Sequence, residues 1–220
     1  MPIDPRRILH EDDRFLAVLK LAGELVVAGK GKMDKLPLFD FLRKDYPGIH
    51  PVNRLDFETS GIVVFARGKP ALKAVMDGKF VGWKKTYRTI VAGSPPRATG
   101  DISFRLPTRV TGEEVAAHTK YKIIERFEMC TLVEAQIESG KHHQIRRHFS
   151  MIKHPLVLDK VYGDKKFNNM FSQKYGYHRF FLHASKIEFP DPLTGKIVNV
   201  ECELPNTFEF LLKKLREVKK

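Results

Sequence analysis

The sequence predicts an α+β fold: a single domain with a mixed, largely antiparallel central β-sheet flanked by helices. Three observations predict it. Short runs rich in β-branched and aromatic residues recur between Gly/Pro turns, at 84–91, 101–106, 118–126 and 130–137. Such runs joined by turns build antiparallel or mixed sheets. Other stretches instead repeat apolar residues three and four apart, the helical period, at 71–80, 142–152 and 206–218. Finally, 220 residues with 42% hydrophobic and 30% charged content suit a globular chain with a sizeable core. No repeat, low-complexity tract or linker divides it, so one domain spanning 1–220 is the simplest reading.

Taken in order, residues 1–7 read as a loose N-terminal arm. Ile8 to Leu21 reads as strand, turn at Glu11-Asp12-Asp13, and strand. Gly23, Gly29 and Gly31 make the next segment loop-like, and with no Gly-Lys-Ser/Thr end they match no phosphate-cradling loop. Leu38, Phe39, Phe41 and Leu42 suggest a short packing helix, ended by Pro47-Gly48. Ile62 to Ala66 is a β-branched run between Gly61 and Arg67-Gly68, the pattern of a buried strand. Ala71, Leu72, Val75, Met76 and Phe80 repeat helically, with Pro70 suited to the first turn. After the strands at 84–137, Ile145, Phe149 and Ile152 place one apolar stripe on a helix. Residues 164–178 are polar and aromatic without clean periodicity and read as a loop insertion, either an RNA contact with stacking side chains or structural. Arg179–Phe189 alternates like a strand, and Pro190–Gly195 turns it into Ile197–Leu204 as a hairpin. Asn206 can cap a last helix, buried through Phe208, Leu211, Leu212, Leu215 and Val218.

Composition narrows the function. No apolar run approaches the ~20 residues of a membrane helix, and the N-terminal stretch lacks the apolar region of a signal peptide. Cys130 and Cys202 fit no disulfide framework or metal spacing, so reduced thiols and a cytoplasmic location are expected. A net charge of +13 favours a polyanionic partner, nucleic acid first, over a merely basic solvated surface.

Two stretches carry candidate chemistry. Asn53-Arg54-Leu55-Asp56 is a charged turn just upstream of the buried strand, where a rigid element can hold a reactive loop still. On these residues alone an ordinary surface turn is the better reading. Lys141, His142, His143, Arg146, Arg147 and His148 supply a dense basic face to the helix expected over His142–Ile152, with Ser139-Gly140 at its entrance, where free N–H groups favour anions. It fits an RNA- or phosphate-facing surface, with a solvated basic face as the alternative. Metal binding fits poorly: residues five apart, as His143 and His148 are, lie roughly 140° apart on a helix, and no carboxylate or thiol joins them.

At Asn53–Gly61 the chain resembles the RluA class of pseudouridine synthases, whose signature reads His/Asn-Arg-Leu-Asp, two residues, Thr-Ser-Gly. The likeness recurs in family order over roughly 8–204: Lys20–Gly23, Lys85-Thr86-Tyr87, Gly140–His148, His154–Val157, Asp159–Gly163, Leu182-His183-Ala184 and Phe189–Gly195. Several such pieces in order overturn the surface-turn reading. Leu21 replaces the family proline, Lys141 an arginine, Leu158 a glycine, and Asn53 stands where His is commonest. The pattern begins near Ile8, so no S4 RNA-binding domain is expected before it.

The resemblance implies the pseudouridine synthase fold, with an active-site cleft across the sheet and Asp56 on the loop before a central strand. It implies isomerisation of one uridine in rRNA or tRNA to pseudouridine, with no cofactor, metal or membrane. The protein would act on RNA as a monomer. It places the nucleophile at Asp56, a carboxylate with a reference pKa of about 3.9 that attacks C1′, stabilises charge there, or attacks uracil C6. Arg146 would pair with Asp56, and Tyr87 would pack on the target base, with Leu182 lining the pocket. Arg54 would fill the space left by the flipped base, and Lys141, His143 and Arg147 would hold RNA. A non-catalytic RNA-binding protein on the same fold, or an RNA N-glycosidase releasing uracil, are the alternatives.

Overall fold

The computed structural model describes residues 3–29, 36–108 and 111–217. The expectations placed on residues 1–2, Gly31 and Val218 lie outside these. In chain order the elements are β1 (Ile8–Glu11), β2 (Phe15–Lys20), α1 (Leu38–Leu42), β3 (Ile49–Pro51), β4 (Ser60–Arg67) and α2 (Lys69–Asp77). There follow β5 (Lys84–Ala92), β6 (Thr99–Ile102), β7 (Leu106–Pro107), β8 (Glu114–Val115), β9 (Thr119–Arg126) and β10 (Cys130–Ile137). The chain ends with α3 (Gln144–Met151), α4 (Lys165–Tyr175), β11 (Leu182–Pro190), β12 (Ile197–Glu201) and α5 (Asn206–Glu217). The α+β class, with strands paired largely antiparallel, is as the strand and helix periodicities require.

The chain gathers into two compact units, one within Met1–Lys85 and Ala184–Cys202, the other within Thr86–His183 and Glu203–Lys220. In the first, β2 pairs antiparallel with β1 and β4, in a register that sets Phe15 opposite Ala66 and Lys20 opposite Gly61. β4 is followed by β11, and β12 folds back on β11 from Pro190↔Ile197 to Lys186↔Glu201. The hairpin turn is pinned by the buried Asp191, which accepts from Arg14 Nε at 2.7 Å, Thr194 Oγ1 at 2.7 Å and Leu193 N at 3.0 Å. Phe15, Ile62, Val64, Val75, Trp83, Ile187 and Phe189 make this unit's core, with Trp83 and Phe189 stacked at 4.1 Å. Every residue of β4 from Ser60 to Ala66 is buried, so the β-branched run forms a rigid rod directly after the Asp56 turn.

In the second unit the order is β5, β10, β9, β6, with β7 and β8 a separate pair. Its core joins Ile90, Leu132, Val157 and Phe171 to the α5 stripe of Phe208, Leu211, Leu212 and Leu215. About 25 cal/mol per Å² of apolar surface removed from water makes these clusters the main source of stability.

Four expectations change. Residues 164–178 are not a loop: Lys165–Tyr175 is helix α4. Asp164 accepts from Phe167 N at 2.6 Å as its N-cap, and Gly176, at φ +79°, closes it. Phe167, Phe171 and Tyr175, spaced by four, give it one apolar stripe inside an otherwise polar sequence. Nor is the segment at 3–7 loose: Asp4 caps a 3-10 turn at Pro5–Arg7, Ile3 is buried, and Arg7 pairs with Glu24 at 2.5 Å. Asp101–Leu106 is not one strand but β6 and the start of β7. Asn206 lies inside α5 rather than capping it, because the carbonyl of Pro205 accepts the first amides, from Phe208 and Glu209.

Candidate active site

In the first unit the turn carrying Asp56 runs between β3 and β4. Asn53 ties it to the strand: its Oδ1 accepts from Val64 N at 2.7 Å, while Val52 N donates to Val64 O. The side-chain amide thus substitutes for a strand partner, a role to which Asn is suited where the family pattern commonly has His. Asp56 O accepts from Thr59 N at 3.1 Å, closing the turn. Leu55 is buried as its anchor, Asp56 is half-buried, and Arg54 and Phe57 are exposed on either side. Gly61 has φ +118°, and a Cβ there would sit 2.3 Å from Ala184 O and 2.5 Å from Ala184 N. Two of the motifs therefore meet: the glycine after Thr-Ser exists so that the backbone at Leu-His-Ala can approach.

Lys20 organises this turn, and the sequence reading gave it no role. It is fully buried, yet its Nζ donates to three carbonyls: Leu21 at 3.0 Å, Phe57 at 3.2 Å and Thr59 at 2.6 Å. Burial pushes its pKa down to about 8, while the negative charges of Glu24 and Asp56 oppose that shift. Charge on a strand ordinarily signals solvent, which is why residue type alone could not reveal it. Among the described residues, the buried Thr59 Oγ1 has no hydrogen-bond partner. Lys85, at the start of β5, is also buried, its pKa pushed down to about 8 by burial, with its Nζ 5.6 Å from the Phe80 ring centroid.

In the second unit Arg146 is held rather than displayed. Its Nε and Nη2 donate to Asp159 Oδ2 and Oδ1 at 2.6 and 3.0 Å, with the two side chains 6% and 0% exposed. The guanidinium lies over Phe180 at 4.6 Å and Tyr162 at 5.1 Å. Asp159 Oδ1 also accepts from Val161 N at 2.9 Å and Tyr162 N at 3.1 Å. Burial alone would raise the Asp159 carboxyl, but Arg146 and these two amides outweigh it and hold the pKa below the ordinary aspartate value. Asn168, on α4, accepts from Leu158 N at 2.7 Å and donates to Asp159 O at 2.9 Å, so the helix at 165–175 clamps the loop that orients the arginine. Asp159 was visible in a motif but had no assigned role.

The basic cluster divides. Arg146 and His148 are buried; His148 Nδ1 meets Thr119 Oγ1 at 2.9 Å and its Nε2 the Phe104 carbonyl at 3.1 Å. Burial lowers the His148 pKa. Lys141, His142 and His143 precede α3, with His143 at φ +53° and its Nδ1 3.1 Å from the Tyr162 hydroxyl. Arg147 is half-buried and donates to Pro107 O at 3.2 Å. The anion-binding entrance expected at Ser139-Gly140 is occupied by the protein itself, since Gln144 Oε1 accepts from Ser139 Oγ and from Lys141 N. Tyr87 on β5 and Leu182 at the start of β11 are 7% and 6% exposed.

An aspartate on a clamped turn before a buried strand, in a chain of net charge +13, defines an α+β protein suited to a polyanionic partner. Among the described residues, no helix is long and apolar enough to cross a membrane, and no group of three or more His, Cys, Asp or Glu could hold a metal ion. The sequence model of the RNA pseudouridylate synthase family matches residues 14–151. A ribosomal large subunit pseudouridine synthase C of Escherichia coli O157:H7 is 30% identical over 96% of this chain and 70% of its own length. That of Pasteurella multocida (strain Pm70) is 33% identical over 97% of this chain and 69% of its own. Among solved structures, human RNA pseudouridylate synthase domain containing 4 superposes with a TM-score of 0.79 at 25% identity, covering 96% of this chain and 93% of that one. The chain belongs to the RNA pseudouridylate synthase family, in agreement with the RluA-class motifs.

Proposed function

We propose that this chain is an RNA pseudouridine synthase that converts a uridine of ribosomal RNA to pseudouridine in the cytoplasm, its two units acting as one catalytic domain and the protein as a monomer. The C1′–N1 bond breaks, the uracil turns, C5 bonds to C1′, and the C5 proton is lost while N1 gains one. Atoms balance, so no redox partner is needed.

The observation that carries this reading is the Asp56 turn, its Phe57 and Thr59 carbonyls fixed by Lys20 and its chain running straight into the buried rod of β4. Preorganisation of this kind is what a carboxylate needs to act at an anomeric carbon. Arg146, oriented by Asp159, supplies the counter-charge to Asp56 in the substrate complex. Tyr87 packs on the uracil and Leu182 dries the pocket. Arg54, exposed on the same turn, enters the stack when the uridine leaves it. Lys141, His143 and Arg147 hold phosphates. The names of the relatives support ribosomal RNA over tRNA as the substrate.

The test is to incubate the purified protein with large-subunit ribosomal RNA, map pseudouridine, and chromatograph the small-molecule fraction. New pseudouridine without free uracil is expected. Free uracil would mean a glycosidase, and neither product would leave an RNA-binding protein.

A further inference from the structure

We propose that Leu21 and Phe57 form an apolar shelf that takes an unpaired nucleobase flanking the target uridine. The inference rests on the reaction proposed above and adds a subsite to it. Both residues are large, apolar and half in water: Leu21 is 46% exposed and Phe57 50%. They are 36 positions apart, yet Lys20 Nζ grips the carbonyls of both, and Gly23 N donates to Phe57 O at 2.8 Å. The two backbones therefore run side by side. Leu21 is tied further, its N–H donating to Glu24 Oε2 at 2.9 Å, and Glu24 is paired with Arg7. The backbone beneath both side chains is thus fixed before any ligand arrives, which lowers the ordering cost of binding.

Its place selects the occupant. Phe57 follows Asp56 directly, and consecutive Cα atoms are about 3.8 Å apart. Whatever meets Phe57 while Asp56 engages a ribose must be a near neighbour of that nucleotide. With Arg54 in the vacated place of the stack, an unpaired base next to the flipped uridine still lacks a pairing partner, and an aromatic ring offers it a stacking surface that tolerates any base. Arg54, exposed on the same turn of a chain of net charge +13, favours an RNA strand over an apolar protein segment as the occupant.

Stacking of a base on an aromatic side chain, about 1–3 kcal/mol, corresponds to about 5- to 150-fold in affinity. The probe is a single-stranded oligoribonucleotide carrying one uridine with 2-aminopurine on its 3′ side or its 5′ side. Wild type should quench one of the two. Phe57→Ala should lose that quench and weaken binding at least fivefold, Phe57→Trp should keep both, and Phe57→Leu should fall near Ala. Melting temperatures within a few degrees establish that the half-exposed site is not needed for folding. Absence of quenching in wild type, a quench that survives Phe57→Ala, or equal damage from Trp and Ala would each overturn the shelf. The binding readout needs no turnover. A Phe57-dependent quench in a protein that makes no pseudouridine would therefore keep the shelf and reject the proposed reaction.

Discussion

Replacing Asp159 by Asn removes one charge from a buried pair and leaves the volume unchanged. In the native protein the carboxylate accepts four hydrogen bonds, two from Arg146 and two from the Val161 and Tyr162 amides. Asn can keep one oxygen toward the amides, but its NH₂ then faces the Nε–H of Arg146, donor against donor. Breaking a buried pair costs roughly 3–5 kcal/mol, since a desolvated charge is left behind. The retained amide bonds place Asp159→Asn at the low end, about 3 kcal/mol, or roughly 1–2 M in the urea midpoint. Far-UV circular dichroism is the probe, because the single tryptophan, Trp83, lies in the other unit. Asp159→Asn/Arg146→Met should be less costly than Asp159→Asn alone, since neither charge is then stranded. The carboxyl has a lowered pKa in the fold, so its contribution is full above the unfolded value and is lost as pH falls through the folded one. The variant should lack that share of the acid-side loss. With the guanidinium no longer held, kcat should drop at least tenfold with KM for RNA changed less than threefold. A midpoint within 0.3 M of wild type (under about 1 kcal/mol) together with an unchanged kcat would refute the role assigned to the pair.

Gly61→Ala should be among the most damaging small changes, costing about 4 kcal/mol or more, because the new Cβ meets backbone atoms of Ala184 at 2.3–2.7 Å at a φ of +118°; a melting temperature within a few degrees of wild type would contradict the packing. Thr59→Val should be neutral or stabilising by about 1 kcal/mol, as it removes a buried hydroxyl that has no partner among the described residues, and a loss above that in urea unfolding would count against the site as described. Lys85→Met tests a buried ammonium through pH. Its folded pKa of about 8 is below that of the unfolded chain. The unfolded state binds more protons between about pH 8 and 10.5, so the stability this group contributes rises across that window. Wild type minus variant stability should therefore climb by about 3 kcal/mol from pH 7.5 to 10.5, and a flat difference would mean that the ammonium is hydrated.

Most of the fold was legible from periodicity. The β-branched run at Ile62–Ala66 and the strand Cys130–Ile137 announce their own burial, and the α5 stripe is spaced as a helix must be. Helix α4 was not legible, because its three aromatics at spacing four are diluted by Lys, Asn and Gln; the Asp164 cap and Gly176 stop were the available signals. Of the candidate site, the turn and the choice of Asp56 as its proposed nucleophile rest on motif order. The burial of Lys20 and the Arg146–Asp159 pair did not, because pairing across 13 residues of chain is set by tertiary approach rather than by residue type. The same holds for the basic cluster, where identical formulas at Arg146 and Arg147 end one buried and one half-exposed. The division into two units, each closed by a distant return of the chain, leaves no local mark at all.

Asp56 as the residue that acts on the glycosidic bond is the claim on which the rest stands. Ribosomal RNA transcribed with tritium at C5 of uridine loses that label to solvent once C5 becomes the new attachment point. Wild type should release tritium in proportion to the pseudouridine formed. Asp56→Asn should bind the same RNA within threefold and release none above background. Release by Asp56→Asn within tenfold of the wild-type rate would contradict the account.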